Sequence, residues 1–252
     1  MTVAVFVAPY LLEATARFAA AAAGLPDVRC AVVTHEPKER LPEHLRRDLV
    51  AHWQVDDAFD PRQLTEAVRG LAGQLGKVDR ILAALEQLQV PLAQVREHLG
   101  IPGMDVETAH NFRDKARMKE VMRAAGVPCA RHRLATSTEE VRDFLDEVGF
   151  PIVVKPPAGA GAKGTFRVDG SDVLDAWLAT DAPIPQRPSL LEEFLSGEEH
   201  SGGAAGARAA DRARPHGVVP PPRRLRRGLR GRRAPARSAD HHPALLRARP
   251  RL

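Results

Sequence analysis

Pro151-Ile-Val-Val-Lys-Pro-Pro-Ala-Gly-Ala-Gly-Ala-Lys-Gly-Thr-Phe-Arg-Val168 is the stretch on which the reading of this chain turns. Ile152, Val153 and Val154 are apolar and β-branched, which predicts a buried strand with Lys155 at its C-terminal end. Gly159, Gly161 and Gly164 follow around Lys163, and Thr165 to Val168 reads as a second strand. Glycines let backbone N–H groups converge on a ligand, and lysines add positive charge. That combination suits a polyphosphate under a hairpin tip.

Other phosphate loops fit less well. Gly159 to Gly164 satisfies G-x-G-x-x-G, but a dinucleotide turn needs a helix after the last glycine, and here a strand and a turn follow. A Walker A loop is excluded because Lys163 precedes Gly164 instead of following it. The protein-kinase loop shares the hairpin but takes its lysine from a later strand, and no H-R-D or D-F-G follows. A surface hairpin with solvated lysines is the competing reading of the loop alone.

The flanks narrow the choice. Asn111 to Pro128 reads as a helix stopped by Gly126 and Pro128, with Met118, Val121, Met122 and Ala125 as its core face. Lys115 and Lys119 lie one turn apart, away from most of that stripe; taken alone they read as solvated charges. Downstream, Ser189 to Leu195 predicts a strand ending at a polar hinge, Ser196-Gly197, followed by Glu198 and Glu199. A carboxylate placed there can accept both hydroxyls of a ribose.

Four blocks stand in one order: Asp114-Lys115…Lys119…Ala125-Gly126-Val127-Pro128, Phe150-Pro151…Lys155-Pro156, the Gly159–Gly164 loop, and Glu192-Glu193-Phe194-Leu195-Ser196-Gly197-Glu198-Glu199. Together they resemble the ATP-grasp superfamily, the carboxylate–amine and carboxylate–thiol ligases of the biotin-carboxylase and D-Ala-D-Ala-ligase type. The resemblance implies ATP, with Lys115 and Lys155 on its phosphates and Lys119 in a structural role. It implies a lid of Gly159, Ala160, Gly161, Ala162, Lys163, Gly164 and Thr165 over the β and γ phosphates. Glu192, Glu193, Phe194 and Leu195 become an adenine hinge read through the backbone, and Glu199 holds the ribose. The implied chemistry is activation of an unidentified carboxylate as an acyl phosphate, then its transfer to a nucleophile. The family's Mg2+ ligands lie beyond the hinge, where this sequence offers only Asp211 and Asp240 among arginines. A chain with the nucleotide half but not the metal half, and without ligase turnover, is therefore expected.

Residues 1–104 read as a small parallel α/β domain of the kind that precedes an ATP-grasp module, and residues 105–200 as the front part of that α+β module. Thr2–Val7, Cys30–Val33 and Val78–Leu85 are predicted strands, and Trp53–Asp56 is ambiguous. Leu11–Ala23 and Arg62–Leu75 are predicted helices, the second with Leu64, Val68 and Leu71 inward. The first strand-to-helix turn, from Ala8, has no glycine, which argues against a dinucleotide there. Glu86, His35 and Glu36 follow strands where open α/β sheets place ligands, although a helix-start acid is the simpler reading of Glu86. In the second half, Ser137 to Glu140 is a capping box leading to Val141, Phe144, Leu145 and Val148. Ser171 is expected to cap a helix burying Val173, Leu174, Trp177 and Leu178.

The net charge of +5 is misleading about partners. Residues 201–252 hold 14 arginines, two aspartates and no lysine or glutamate, a net +12 that leaves −7 for residues 1–200. This tail also lacks Phe, Trp, Tyr, Ile and Met, so it cannot bury enough to offset its chain entropy and is expected to be disordered. One reading is an out-of-frame segment on a truncated ATP-grasp chain; the other is a basic arm on a non-catalytic nucleotide-binding protein, docking nucleic acid. Cys30 and Cys129 have no disulfide or metal spacing. No leader or long apolar run is seen, so a cytoplasmic protein without membrane contact is expected.

Overall fold

The computed structural model describes residues 1–159 and 164–197. The predicted basic tail, the lid residues Ala160 to Lys163 and Glu199 lie outside the described residues.

The first half alternates strand and helix: β1 (Thr2–Val7), α1 (Glu13–Ala23), β2 (Val28–Thr34), α2 (Glu43–Asp48), β3 (Ala51–Gln54), α3 (Pro61–Leu75), β4 (Arg80–Ala83) and α4 (Gln89–Leu99). The strands form a parallel sheet in the order β3-β2-β1-β4. β1 is a continuous apolar run because helices cover both of its faces. Val3, Val5 and Val7 pack with Leu64, Val68, Leu71 and Val95 of α3 and α4. Phe6 packs on the other side with Ala19 of α1, Leu45 of α2 and Cys30, whose thiol burial pushes up to about 11. Asp60 caps α3 by accepting from the Arg62 amide, with Pro61 in the first turn. Gly70 of α3 lies so close to Trp53 that a Cβ there would overlap the indole. Of the ambiguous Trp53–Asp56 segment, Trp53 and Gln54 end β3 while Val55 and Asp56 lie beyond it, and the predicted third strand shrinks to four residues.

His35 and Glu36, the candidate ligands after β2, are engaged within the protein. His35 Nε2 accepts from the Ala58 amide at 2.8 Å, and Glu36 pairs with Arg40 at 3.1 Å. Glu86 pairs with Arg113 at 3.3 Å, joining the end of the first sheet's layer to the next helix.

The helix expected from Asn111 is two helices, α5 (Val106–Arg113) and α6 (Lys115–Ala124). Asp114 breaks them: its backbone is extended and its carboxylate accepts from the amides of Ala116 at 2.8 Å and Arg117 at 3.2 Å. The orientation of α6 also differs from the expected one. Val121 is 50% exposed and Ala125 is exposed, while Ala116 and Lys119 turn inward. The surface under α6 carries a buried acid, so Lys119 faces it, Met118 and Met122 are half-buried, and Val121 and Ala125 are left exposed.

The second sheet is antiparallel, in the order β5-β8-β6-β7, from β5 (His132–Ala135), β6 (Ile152–Lys155), β7 (Phe166–Val168) and β8 (Ser189–Glu193). Two helices, α7 (Thr138–Val148) and α8 (Ser171–Asp181), cover one face. Val141, Phe144, Ile152, Val154, Val168, Leu174, Trp177 and Leu191 form that core. The capping box is present: Ser137 Oγ accepts from the Glu140 amide at 3.2 Å, and the Glu140 carboxylate reaches back to Thr136. Ser171 is not the cap of α8; extended Gly170 stands there without a side-chain bond, and Val173 is left 45% exposed. Among the described residues no helix is long and apolar enough to cross a membrane.

Candidate functional site

Strand alternation puts Ile152 and Val154 of β6 into the core and Val153 and Lys155 on the opposite face. The register places Glu192 between Val153 of β6 and His132 of β5 on that same face, with Leu190 beside Lys155. Here the charges collect. Lys155 Nζ lies 2.7 Å, and Lys119 Nζ 3.3 Å, from Oε1 of Glu192. The three side chains are only 19%, 12% and 11% exposed. That oxygen is sealed from solvent, and both contacts are ion pairs without the alignment of hydrogen bonds. Two ammoniums on one carboxylate leave one positive charge in a poorly screened place, where it acts more strongly on an anion than a surface lysine would.

Lys115 joins from the start of α6. Its Nζ donates to the Gly159 carbonyl at 2.8 Å, and its amide donates to the Pro157 carbonyl at 2.9 Å. The helix is thereby fastened to the limb that leads from Lys155 into the glycine loop. On the far side of the loop, Gly164 has φ +71°, and a Cβ there would press on Pro156 Cδ at 3.3 Å. The strands on either side pair Ile152 with Val168 and Val154 with Phe166, so the loop does cap a hairpin. Thr165 is exposed beside it.

At the other end, β8 runs out at Glu193. Its carboxylate accepts from the Arg131 amide and Nε, both at 2.7 Å, which holds its pKa below the usual carboxylate range. The amides of Glu193 and Phe194 donate to the carbonyls of Arg131 and Pro151. Phe194 and Leu195 follow with apolar side chains 39% and 65% exposed. His132, beside Glu192, is held below its usual range by burial and by the charges of Arg123 and Lys119, against the pull of the Ala130 carbonyl and Glu192.

Lys115, Lys155, Gly159 and Gly164 are thus brought to one face of one sheet, with Glu192 at its centre. Sequence reading gave Lys119 a structural role, and the structure sets it against the same carboxylate as Lys155. Its signal was present: it is one helical turn from Lys115, on the same side. Among the described residues no group of three or more His, Cys, Asp or Glu side chains could hold a metal ion. The described residues by themselves do not fit a Mg2+ site.

Comparison with known proteins divides the chain as the two sheets do. Residues 17–103 match the family described as ATP-grasp N-terminal domain, and residues 114–200 the family described as carbamoyl-phosphate synthase L chain, ATP binding domain. Alanine–anticapsin ligase of Bacillus subtilis is 29% identical over 159 residues, covering 58% of this chain and 34% of the ligase. The carbamoyl phosphate synthase large chain of Streptomyces coelicolor is 32% identical over 143 residues, 54% of this chain and 13% of that one. Among solved structures, N5-carboxyaminoimidazole synthetase from Staphylococcus aureus complexed with ADP superposes with a TM-score of 0.60 at 17% identity. It covers 77% of this chain and 48% of the synthetase. An L-amino acid ligase from Bacillus licheniformis gives 0.59 at 16% identity, over 78% and 45%. The chain spans about a third of the length of the ligase relative and under half of these solved chains.

Proposed function

This chain belongs to the ATP-grasp superfamily, and from that premise we propose that the face of the second sheet bearing Lys155 and Glu192 binds ATP. The observation that carries the reading is the convergence of Lys119 and Lys155 on Glu192, with Lys115 fastened to the glycine-loop limb. Lys155 takes the α and β phosphates, and Lys115 and Lys119 neutralise charge from the helix side. Glu192 fixes where the two ammoniums stand. Gly159 to Thr165 closes over the β and γ phosphates through backbone amides, and Glu192 to Leu195 borders the purine. Glu199 would hold the ribose hydroxyls.

The reaction served is that of an ATP-dependent carboxylate ligase. A carboxylate oxygen attacks the γ phosphorus, the bond to the β-bridging oxygen breaks, and ADP leaves with an acyl phosphate formed. A nucleophile then takes the acyl group and releases phosphate. The names of alanine–anticapsin ligase and the L-arginine-specific L-amino acid ligase of Bacillus subtilis support an amino acid as the carboxylate. Positioning by lysines and amides belongs to residues 105–197. Phosphoryl transfer of this class also relies on metal ions, and the described residues present no metal-holding cluster. Calorimetric titration of the full chain with ATP tests the reading: saturable binding weakened at least about tenfold in Lys155→Ala supports it, and an isotherm unchanged by that substitution overturns it.

A further inference from the structure

One contact on the same face has no part in holding the fold's core. Arg167 of β7 sits opposite Val153, which on its other side faces Glu192. Its guanidinium lies over the ring of Phe194, 4.2 Å from the centroid. The pair bridges from the strand that leaves the glycine loop, across β6, to the end of β8. Asp169 holds the guanidinium from behind, Oδ1 to Nε at 2.6 Å, and the Phe194 amide is anchored on the Pro151 carbonyl at 3.2 Å. The flat cation is therefore held in place, yet the Arg167 side chain is 47% exposed and Leu195 beside Phe194 is 65% exposed.

We propose that Arg167 is a base-stacking residue: with Phe194 it forms a cation–aromatic platform for the purine of the nucleotide whose phosphates meet Lys115, Lys119 and Lys155. This rests on the ATP reading given above. Guanidinium planes and aromatic faces are surfaces on which nucleobases stack. The spacing agrees. Val153 and Lys155 are two residues apart on one strand, about 7 Å, a step that a ribose between base and phosphate can span. Arg167 lies one strand over from Val153, so base and phosphate subsites sit side by side along β6. A surface ion pair with Asp169 alone would not need the guanidinium over the Phe194 ring.

The test is titration of the full chain, and of Arg167→Ala and Arg167→Lys, with ATP and with inorganic tripolyphosphate. Arg167→Ala should weaken ATP binding about tenfold and leave tripolyphosphate binding unchanged. Arg167→Lys keeps the charge but not the plane, and should lose nearly as much for ATP. Undiminished ATP binding by Arg167→Ala overturns the proposal while leaving the ATP site intact, as does an equal loss for tripolyphosphate. If the unaltered chain binds neither ligand, the ATP reading itself fails and takes this proposal with it.

Discussion

Lys155 and Glu192 stand diagonally across adjacent antiparallel strands, on the same face, with Nζ and Oε1 2.7 Å apart and both side chains more than four-fifths buried. A buried ion pair is poor evidence for stability as such, because desolvation offsets much of the attraction. Removing one member is different. Glu192→Gln would leave two ammoniums, Lys119 and Lys155, confined together without a counter-charge. Loss of about 3 kcal/mol in folding free energy is expected, read from urea denaturation at neutral pH. The triple variant Lys119→Met, Lys155→Met, Glu192→Leu should recover most of it. A Glu192→Gln midpoint equal to that of the unaltered chain would show that the cluster is not held as described.

Lys119 should matter to nucleotide binding as much as Lys155 does. Each presents a partly buried ammonium to the same space, and a charge-assisted hydrogen bond to phosphate contributes about 1.5–3 kcal/mol. Lys119→Ala and Lys155→Ala should each weaken ATP binding on the order of ten- to a hundredfold. Arg117, exposed two positions earlier on the same helix, is the control and should change little when replaced by Ala. A Lys119 effect no larger than that of Arg117 would return Lys119 to a purely structural part.

Much of this was legible in local chemistry. Ile152 to Val154 announce a buried strand because three β-branched or apolar residues in a row suit nothing else at that length. The hairpin followed from strands on both sides of the glycines, and the Ser137 cap from its partner at Glu140. What escaped depended on what an element packs against. The Met118–Val121–Met122 stripe implied an inward apolar face only if the surface below were apolar. Glu192 makes that surface acidic, and the partner is distant in sequence, so the periodicity misled. Asp114 carried a cap signal, but inside a run of helix formers it read as part of the helix. A helix start was read at Glu86 but without an extent; α4 begins at Gln89 with Pro91 in its first turn, a place where proline is tolerated.

Gly70 offers a test of the first sheet's packing. α3 crosses β3 with no room for a methyl group between Gly70 and the Trp53 indole. Gly70→Ala would ordinarily favour a helix by reducing the freedom of the unfolded chain. Here overpacking should win, with a net loss of about 1–3 kcal/mol. Pairing it with Trp53→Leu should give back part of that loss, and thermal unfolding of the single and double variants checks both. A Gly70→Ala chain more stable than its parent would mean the helix stands farther from the strand.

His132 supplies a pH signature that belongs to the site. Its folded-state pKa lies below the ordinary histidine value, first through burial and then through the nearby charges of Arg123 and Lys119. Arg123 Nη2 also lies 2.9 Å from Nδ1, a contact that suits the neutral ring. The unfolded chain therefore takes up a proton at higher pH than the folded one, and linkage requires stability to fall as pH drops through that interval. The contribution is complete above the unfolded value, about 6.5, and declines below it. The carboxylates held low, Glu140 and Glu193 among them, act at lower pH and do not cloud this window. Denaturation midpoints at pH 7.5 and 5.5 should separate for the unaltered chain and draw together for His132→Gln. If the substitution leaves the separation as it was, the ring is protonated as readily in the folded protein as outside it, and its neutral contact with Arg123 does not exist.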